Sequence, residues 1–181
     1  MLNKKIKLLE EGHTECLSTH INYWENNFVP FSKMGEFSGN AKHVYCDPVI
    51  ESLLLHCKPQ VEKVIEKEIV PSYSFWRTYY KGQALERHCD RPPCQISVTL
   101  CIDMSDNTDP WDIFVDGYAI KLQKGEGTVY RGFSQEHWRE PLSYDWHRQV
   151  FLHYIEKDGP FYPEHKYDGR EKLYTEMQVE E

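Results

Sequence analysis

Between Asp47 and Pro71 the apolar side chains recur three and four positions apart, which is the spacing of one helical face. Asp47-Pro48 supplies an N-cap carboxylate followed by proline at the first helical position, and residues 49–57, with Leu53, Leu54 and Leu55, predict a short helix that Lys58-Pro59 interrupts. A second short helix is predicted over 60–69, where Val61, Val64, Ile65 and Ile69 share a face, Glu62, Lys63, Glu66 and Lys67 point away, and Pro71 closes the pattern. Beyond Pro71 the texture changes to aromatic and β-branched residues cut by turn signals, predicting strands at 72–80, 95–102, 111–115, 118–122, 128–130 and 149–155. Asp116-Gly117 between two of them is the signature of a two-residue hairpin, because its turn needs positive φ at both residues. Residues 157–181 follow neither period and read as a surface tail, while the first 45 carry no legible motif. Helices first and short antiparallel strands afterwards imply an α+β, mainly β chain, a double-sheet β roll with helices on one flank.

Composition narrows the class. With 181 residues, 14% aromatic and 40% hydrophobic, the chain has far too much burial-seeking surface for a disordered protein and enough length for one enzyme-sized domain over 1–181. A formal charge of -8 argues against a nucleic-acid partner, and no run approaches the roughly 18 apolar residues of a membrane span. Six cysteines, at 16, 46, 57, 89, 94 and 101, include no C-x-x-C pair and follow no leader, so they read as reduced thiols in a cytoplasmic protein. Cys89, Cys94 and Cys101 do not have the spacing of a zinc knuckle.

The candidate chemistry lies in the strand-rich half. His88 and Asp90 are two residues apart, and on extended backbone such side chains point the same way and can converge on one ion. His137, downstream of Gly125-Glu-Gly127, adds a second imidazole in a strand-turn context. Two imidazoles and one carboxylate, with the opposite positions open, suit non-haem iron(II) and oxygen chemistry. Arg148, eleven residues further on, offers a planar fork for the carboxylate of an acidic cosubstrate. On their own residues, Arg91 reads as a solvated loop cation, Cys89 and Cys94 as bystanders, and His147 and His153 as structural.

The run Y-x-x-G-x-x-L-x-x-H-x-D from Tyr79 to Asp90, followed by G-x-G, His137 and Arg148, resembles the 2-oxoglutarate- and iron(II)-dependent dioxygenases, most closely their prolyl 4-hydroxylase-like branch. The resemblance spans residues 72–154. It implies a double-stranded β-helix, or jelly roll, with a helical flank over 1–70, a core over 71–156 and a tail over 157–181. It further implies Fe(II) held by His88, Asp90 and His137, a cosubstrate pocket walled by Tyr79, and Arg148 on the distal carboxylate of 2-oxoglutarate. The implied reaction hydroxylates an unactivated C–H bond of a small molecule or peptide with O2, releasing succinate and carbon dioxide. The family often writes Gly-x-Arg-x-Ser where this chain has Trp146-His-Arg148-Gln-Val150, so Arg77 and Arg139 stand as alternatives to Arg148. Two other classes compete: a non-catalytic metal-holding β-roll that binds carbohydrate or peptide, and a cupin-type metal-dependent hydrolase or isomerase.

Overall fold

The computed structural model describes residues 3–28, 32–33 and 40–175. In chain order its elements are β1 (Lys4–Lys7), α1 (Glu11–Asn27), β2 (Ser32–Lys33), β3 (Asn40–Tyr45), α2 (Pro48–Ile65), β4 (Ile69–Tyr80), β5 (Leu85–His88), β6 (Ile96–Met104), β7 (Ile113–Val115), β8 (Tyr118–Ile120), β9 (Glu126–Tyr130), β10 (His137–Arg139) and β11 (Trp146–Glu156). The strands form two antiparallel sheets. The larger has the order β1-β9-β6-β11-β4-β3-β2, the smaller β5-β10-β7-β8.

Strand alternation divides the larger sheet into two unlike faces. Trp76 of β4, Val98, Leu100 and Ile102 of β6, and Val150, Leu152 and Tyr154 of β11 form the main core with Leu17 and Ile21 of α1 and Ile50, Leu54 and Val61 of α2. Their sequence neighbours Phe75, Tyr79, Cys101, Phe151 and His153 face the other way, toward the smaller sheet, where Ile113 and Val115 pack with Cys101 and Tyr130. The helices therefore cover one face of the large sheet, and the other is left to build an interior between the sheets.

Three expectations need correction. The segment expected as two short helices is one, α2, running through Pro59. Proline removes one helical hydrogen bond, but Ile50, Leu53, Leu54, Cys57 and Val61 form a continuous buried stripe against the sheet, and tertiary burial outweighs the break. The helix ends at left-handed Glu66, so Ile69 begins β4 instead of ending a helix. The first 45 residues, where no motif was legible, contain the 17-residue α1, whose buried face is mostly polar (Thr14, Leu17, Ser18, Ile21, Glu25) and so hides the apolar period. The tail is not simply surface, since Leu173 is fully buried in the main core and Arg170 Nη2 lies 2.7 Å from Oε1 of the buried Glu51. The expected hairpin is present as β7 and β8, with φ of 49° at Asp116 and 83° at Gly117. No helix among the described residues is long and apolar enough to cross a membrane.

Candidate metal centre

β5 and β10 pair with His137 directly opposite His88, and this register puts the two imidazoles side by side, their ring centroids 4.3 Å apart. Asp90 follows β5 after one residue and turns its carboxylate between them. Its Oδ1 lies 3.3 Å from His88 Nε2 and 3.5 Å from His137 Nε2. Each ring is oriented from behind, with Nδ1 2.8 Å from Glu86 O in His88 and 3.0 Å from Gln135 O in His137. A ring that donates from Nδ1 to a carbonyl is the tautomer with a lone pair on Nε2, the outer-shell arrangement that prepares a histidine for a metal. Burial raises the Asp90 carboxyl, but the adjoining imidazoles of His137 and His88 together lower it by more, to well below the usual carboxylate range. The three groups thus form a fixed set of one anionic oxygen and two imidazole nitrogens that could hold a metal ion.

Gly132 closes the back of this set. Its carbonyl accepts from Asp90 N at 2.8 Å, and a Cβ there would lie 2.4 Å from Asp90 Oδ2 and 2.3 Å from Ser97 Oγ. No larger residue fits without moving the carboxylate.

The set opens into a cavity of about 550 Å³ whose lining includes Tyr79, Tyr130, Phe75 and Phe151. Tyr79, expected as a cosubstrate wall, lines this cavity, fully buried and packed edge-on against Trp111 at 5.0 Å. Arg148, by contrast, is not brought to the metal groups. It shares a strand face with Val150 and Leu152 and points to α1, where Nη1 donates to Ser18 Oγ at 2.7 Å and Nη2 meets Glu25 Oε2 at 3.0 Å. Its expected role as carboxylate partner is therefore corrected: strand alternation sends position 148 outward and positions 147 and 149 inward.

Of the two alternatives, Arg77 lies opposite Gln149 in the β4–β11 register, with its guanidinium 4.4 Å from the Tyr79 ring. Arg139 is on β10, two residues past His137 and on the same side of the strand. Its Nη1 donates to Trp111 O at 2.8 Å and its Nη2 to Gln149 Oε1 at 3.3 Å, while Nε is buried without an acceptor. Burial lowers the Arg139 pKa, and among the described residues no carboxylate pairs with it. A buried guanidinium lacking an anion is costly.

Four residues read as peripheral belong to this region. His153, Cys94 and Asp90 place ligand-type atoms within 4.8 Å of one another, and Ser97 Oγ lies 2.9 Å from His153 Nδ1. Burial depresses His153 to about 4, so the ring is neutral. Cys89 also lines the cavity. Arg91 is held by Asp168 through two contacts of 2.8 and 2.7 Å. The inward parity of His153 on β11 was the available signal, whereas nothing local in the sequence announces the pairing of Arg91 with a residue 77 positions away.

No family model matches the sequence, and no curated protein matches it. The fold is nevertheless shared with many solved 2-oxoglutarate- and iron(II)-dependent oxygenases, prolyl 4-hydroxylases among them, at low sequence identity. A prolyl-4-hydroxylase of Pseudomonas putida superposes with a TM-score of 0.63 at 12% identity, covering 86% of this chain and 94% of its own. A viral collagen prolyl hydroxylase of Paramecium Bursaria Chlorella virus-1, in complex with 2-oxoglutarate, gives 0.63 at 12% identity over 83% of this chain and 94% of its own. HygX of Streptomyces hygroscopicus, with nickel, 2-oxoglutarate and hygromycin B bound, gives 0.64 at 10% identity over 85% and 82%.

Proposed function

We propose that the chain is an iron(II)- and 2-oxoglutarate-dependent oxygenase that hydroxylates an unactivated C–H bond, and that residues 1–181 act as one such unit built on a double-stranded β-helix. The observation that carries this reading is the convergence of His88, Asp90 and His137 with both Nε2 atoms turned to one carboxylate oxygen. This donor set, two neutral nitrogens and one hard oxygen, fits iron(II) and leaves further positions for a cosubstrate and dioxygen. The shared fold of the solved oxygenases supports the same class.

Iron(II) with 2-oxoglutarate supplies an oxidant made from dioxygen, one oxygen atom ending in the alcohol and the other in succinate, with carbon dioxide released. The protein's own part is positional. His88 and His137 are kept from rotating by the carbonyls of Glu86 and Gln135, and Gly132 keeps Asp90 close. Arg139, and not Arg148, is the residue we assign to the distal carboxylate of 2-oxoglutarate. Its Nε lacks an acceptor, and its charge acts on both Tyr79 and Tyr130, which line the cavity. Gln149 fixes the guanidinium from the side, being itself held by Thr99 Oγ1 at 2.6 Å. Tyr79 and Trp111 close the interior to water around that charge.

The test is direct. Anaerobic iron(II) with 2-oxoglutarate should give a visible charge-transfer band, and aerobic turnover should yield succinate. His88→Ala and His137→Ala should each lose stoichiometric iron and the band while keeping a cooperative unfolding transition. Unchanged iron content in both variants would overturn the assignment.

A further inference from the structure

The inner face of the large sheet carries rings in two files that cross β3, β4 and β11. In one, Tyr45 lies 5.1 Å from Tyr73, which lies 4.4 Å from His153. In the other, His43 lies 5.3 Å from Phe75, which lies 6.0 Å from Phe151. The files follow from the pairing, which puts Phe151 opposite Phe75 and His153 opposite Tyr73. Interplanar angles of 33° to 41° make them a shallow floor of tilted rings instead of an interlocked edge-to-face core. Five of the six, all but His43, line the cavity beside the metal ligands. Phe75 and Phe151 are only partly buried, and Tyr45 at the rim is 42% exposed. Rings that served packing alone would be covered by the facing sheet.

The charge of this chamber is also settled. Arg91 is the one lysine or arginine lining it among the described residues, and its guanidinium lies 4.6 Å from the Tyr73 ring. Asp168 holds it by both oxygens and accepts from Tyr45 OH as well. The cation that lines the cavity with His88, Asp90 and His137 is therefore already neutralised by the chain itself, and a bidentate guanidinium–carboxylate pair leaves no fork for an anionic substrate. The floor offers ring faces within a single cavity of about 550 Å³, whereas a proline-rich peptide docks along an extended aromatic-lined groove.

We propose that the primary substrate is a small, uncharged, flat ring compound that lies on the floor formed by Tyr45, Tyr73, Phe75 and Phe151, with its edge toward His88, Asp90 and His137. The reaction at that edge rests on the oxygenase reading; the binding does not.

The experiment measures binding of 2-naphthol, 2-naphthoate and a ten-residue proline-rich peptide to the full chain by equilibrium dialysis. It is run once with anaerobic iron(II) and 2-oxoglutarate and once without either. The expected result is saturable 2-naphthol binding in both arms, with 2-naphthoate at least about tenfold weaker in the arm that contains 2-oxoglutarate, where the cosubstrate occupies Arg139 and the naphthoate carboxylate must be desolvated without a partner. Phe75→Leu and Phe151→Leu stay apolar but remove the ring, and each should weaken 2-naphthol about three- to tenfold. Tyr45→Leu, at the exposed rim, serves if a buried variant fails to unfold cooperatively. Wild-type affinity in all three variants overturns the proposal, as does 2-naphthoate or the peptide binding as tightly as 2-naphthol in the arm that contains 2-oxoglutarate. Naphthol binding without a charge-transfer band upholds the ring floor and removes the oxygenase reading. A band without naphthol binding does the reverse.

Discussion

Arg148 is paired to α1 while Arg139, nine positions earlier, is proposed to hold the cosubstrate acid, and single substitutions should tell them apart. Loss of the Arg139 fork should raise the apparent 2-oxoglutarate constant roughly ten- to a hundredfold, the worth of a charged hydrogen bond, with only partial rescue by lysine. Arg148→Ala should leave that constant near wild type but cost about 3 to 5 kcal/mol in denaturant unfolding, because it strands the buried Glu25 carboxylate. An unchanged constant in Arg139→Ala would move the acid site elsewhere. The sequence already held the means to separate them: Arg148 shares strand parity with Val150 and Leu152, which any core claims, whereas Arg139 shares it with His137. His88 and Asp90 were legible because a two-residue spacing is itself a geometric statement. His147, between the two arginines, predicts a pH effect. Burial and the charge of Arg139 lower it to about 3, so the unfolded chain takes up this proton first as pH falls. Its share of stability is complete above the unfolded value of about 6.5 and is lost on descent toward the folded one, up to about 3 kcal/mol by pH 4. His147→Gln should therefore show a shallower acid loss than wild type when urea midpoints are compared between pH 7 and 4. Parallel loss in both would contradict the buried neutral ring.

At the scale of elements, legibility followed the chemistry of the buried face. The long strands β4, β6 and β11 were visible because both of their faces carry large or β-branched side chains, and the Asp116-Gly117 turn because few residues accept two positive φ values. α1 was hidden because the stripe it buries contains Thr14, whose hydroxyl donates back to Glu11 O, and Ser18 and Glu25, which hold Arg148 instead of joining an oily core. β5 and β10 were too short to announce themselves, at four and three residues, although they carry both histidines. The segment after β11 was misjudged because its anchorage is sparse. It rests on Leu173 in the main core, on Arg170 against Glu51, and on Tyr174 N, which donates to the same carboxylate. Leu173→Ala should accordingly cost about 2 to 5 kcal/mol in thermal or urea unfolding, the range for emptying a buried leucine site. A loss below about 0.5 kcal/mol, normal for a surface position, would return this segment to the periphery.

For the molecule as a whole, the division of labour between the two faces of the large sheet is the organising fact. One face is committed to the helices, and the other is freed for a ring-lined chamber ending at the metal ligands. The sequence could give this architecture only by resemblance, since alternation fixes which side chains share a face but not which face meets which partner. Asp47 shows how tightly the committed side is joined. Its Oδ1 caps α2 through Val49 N at 2.9 Å, and its Oδ2 meets His20 of α1 at 2.8 Å and Trp76 Nε1 of β4 at 3.2 Å. One carboxylate thus belongs to two helices and the central sheet at once. Fraying of α1 forfeits a partner of the group that begins α2, and withdrawal of either helix exposes the indole of β4. The helical flank therefore has little freedom to open piecemeal, and a protease reaching a bond there must wait for the flank and the sheet beneath it to part together.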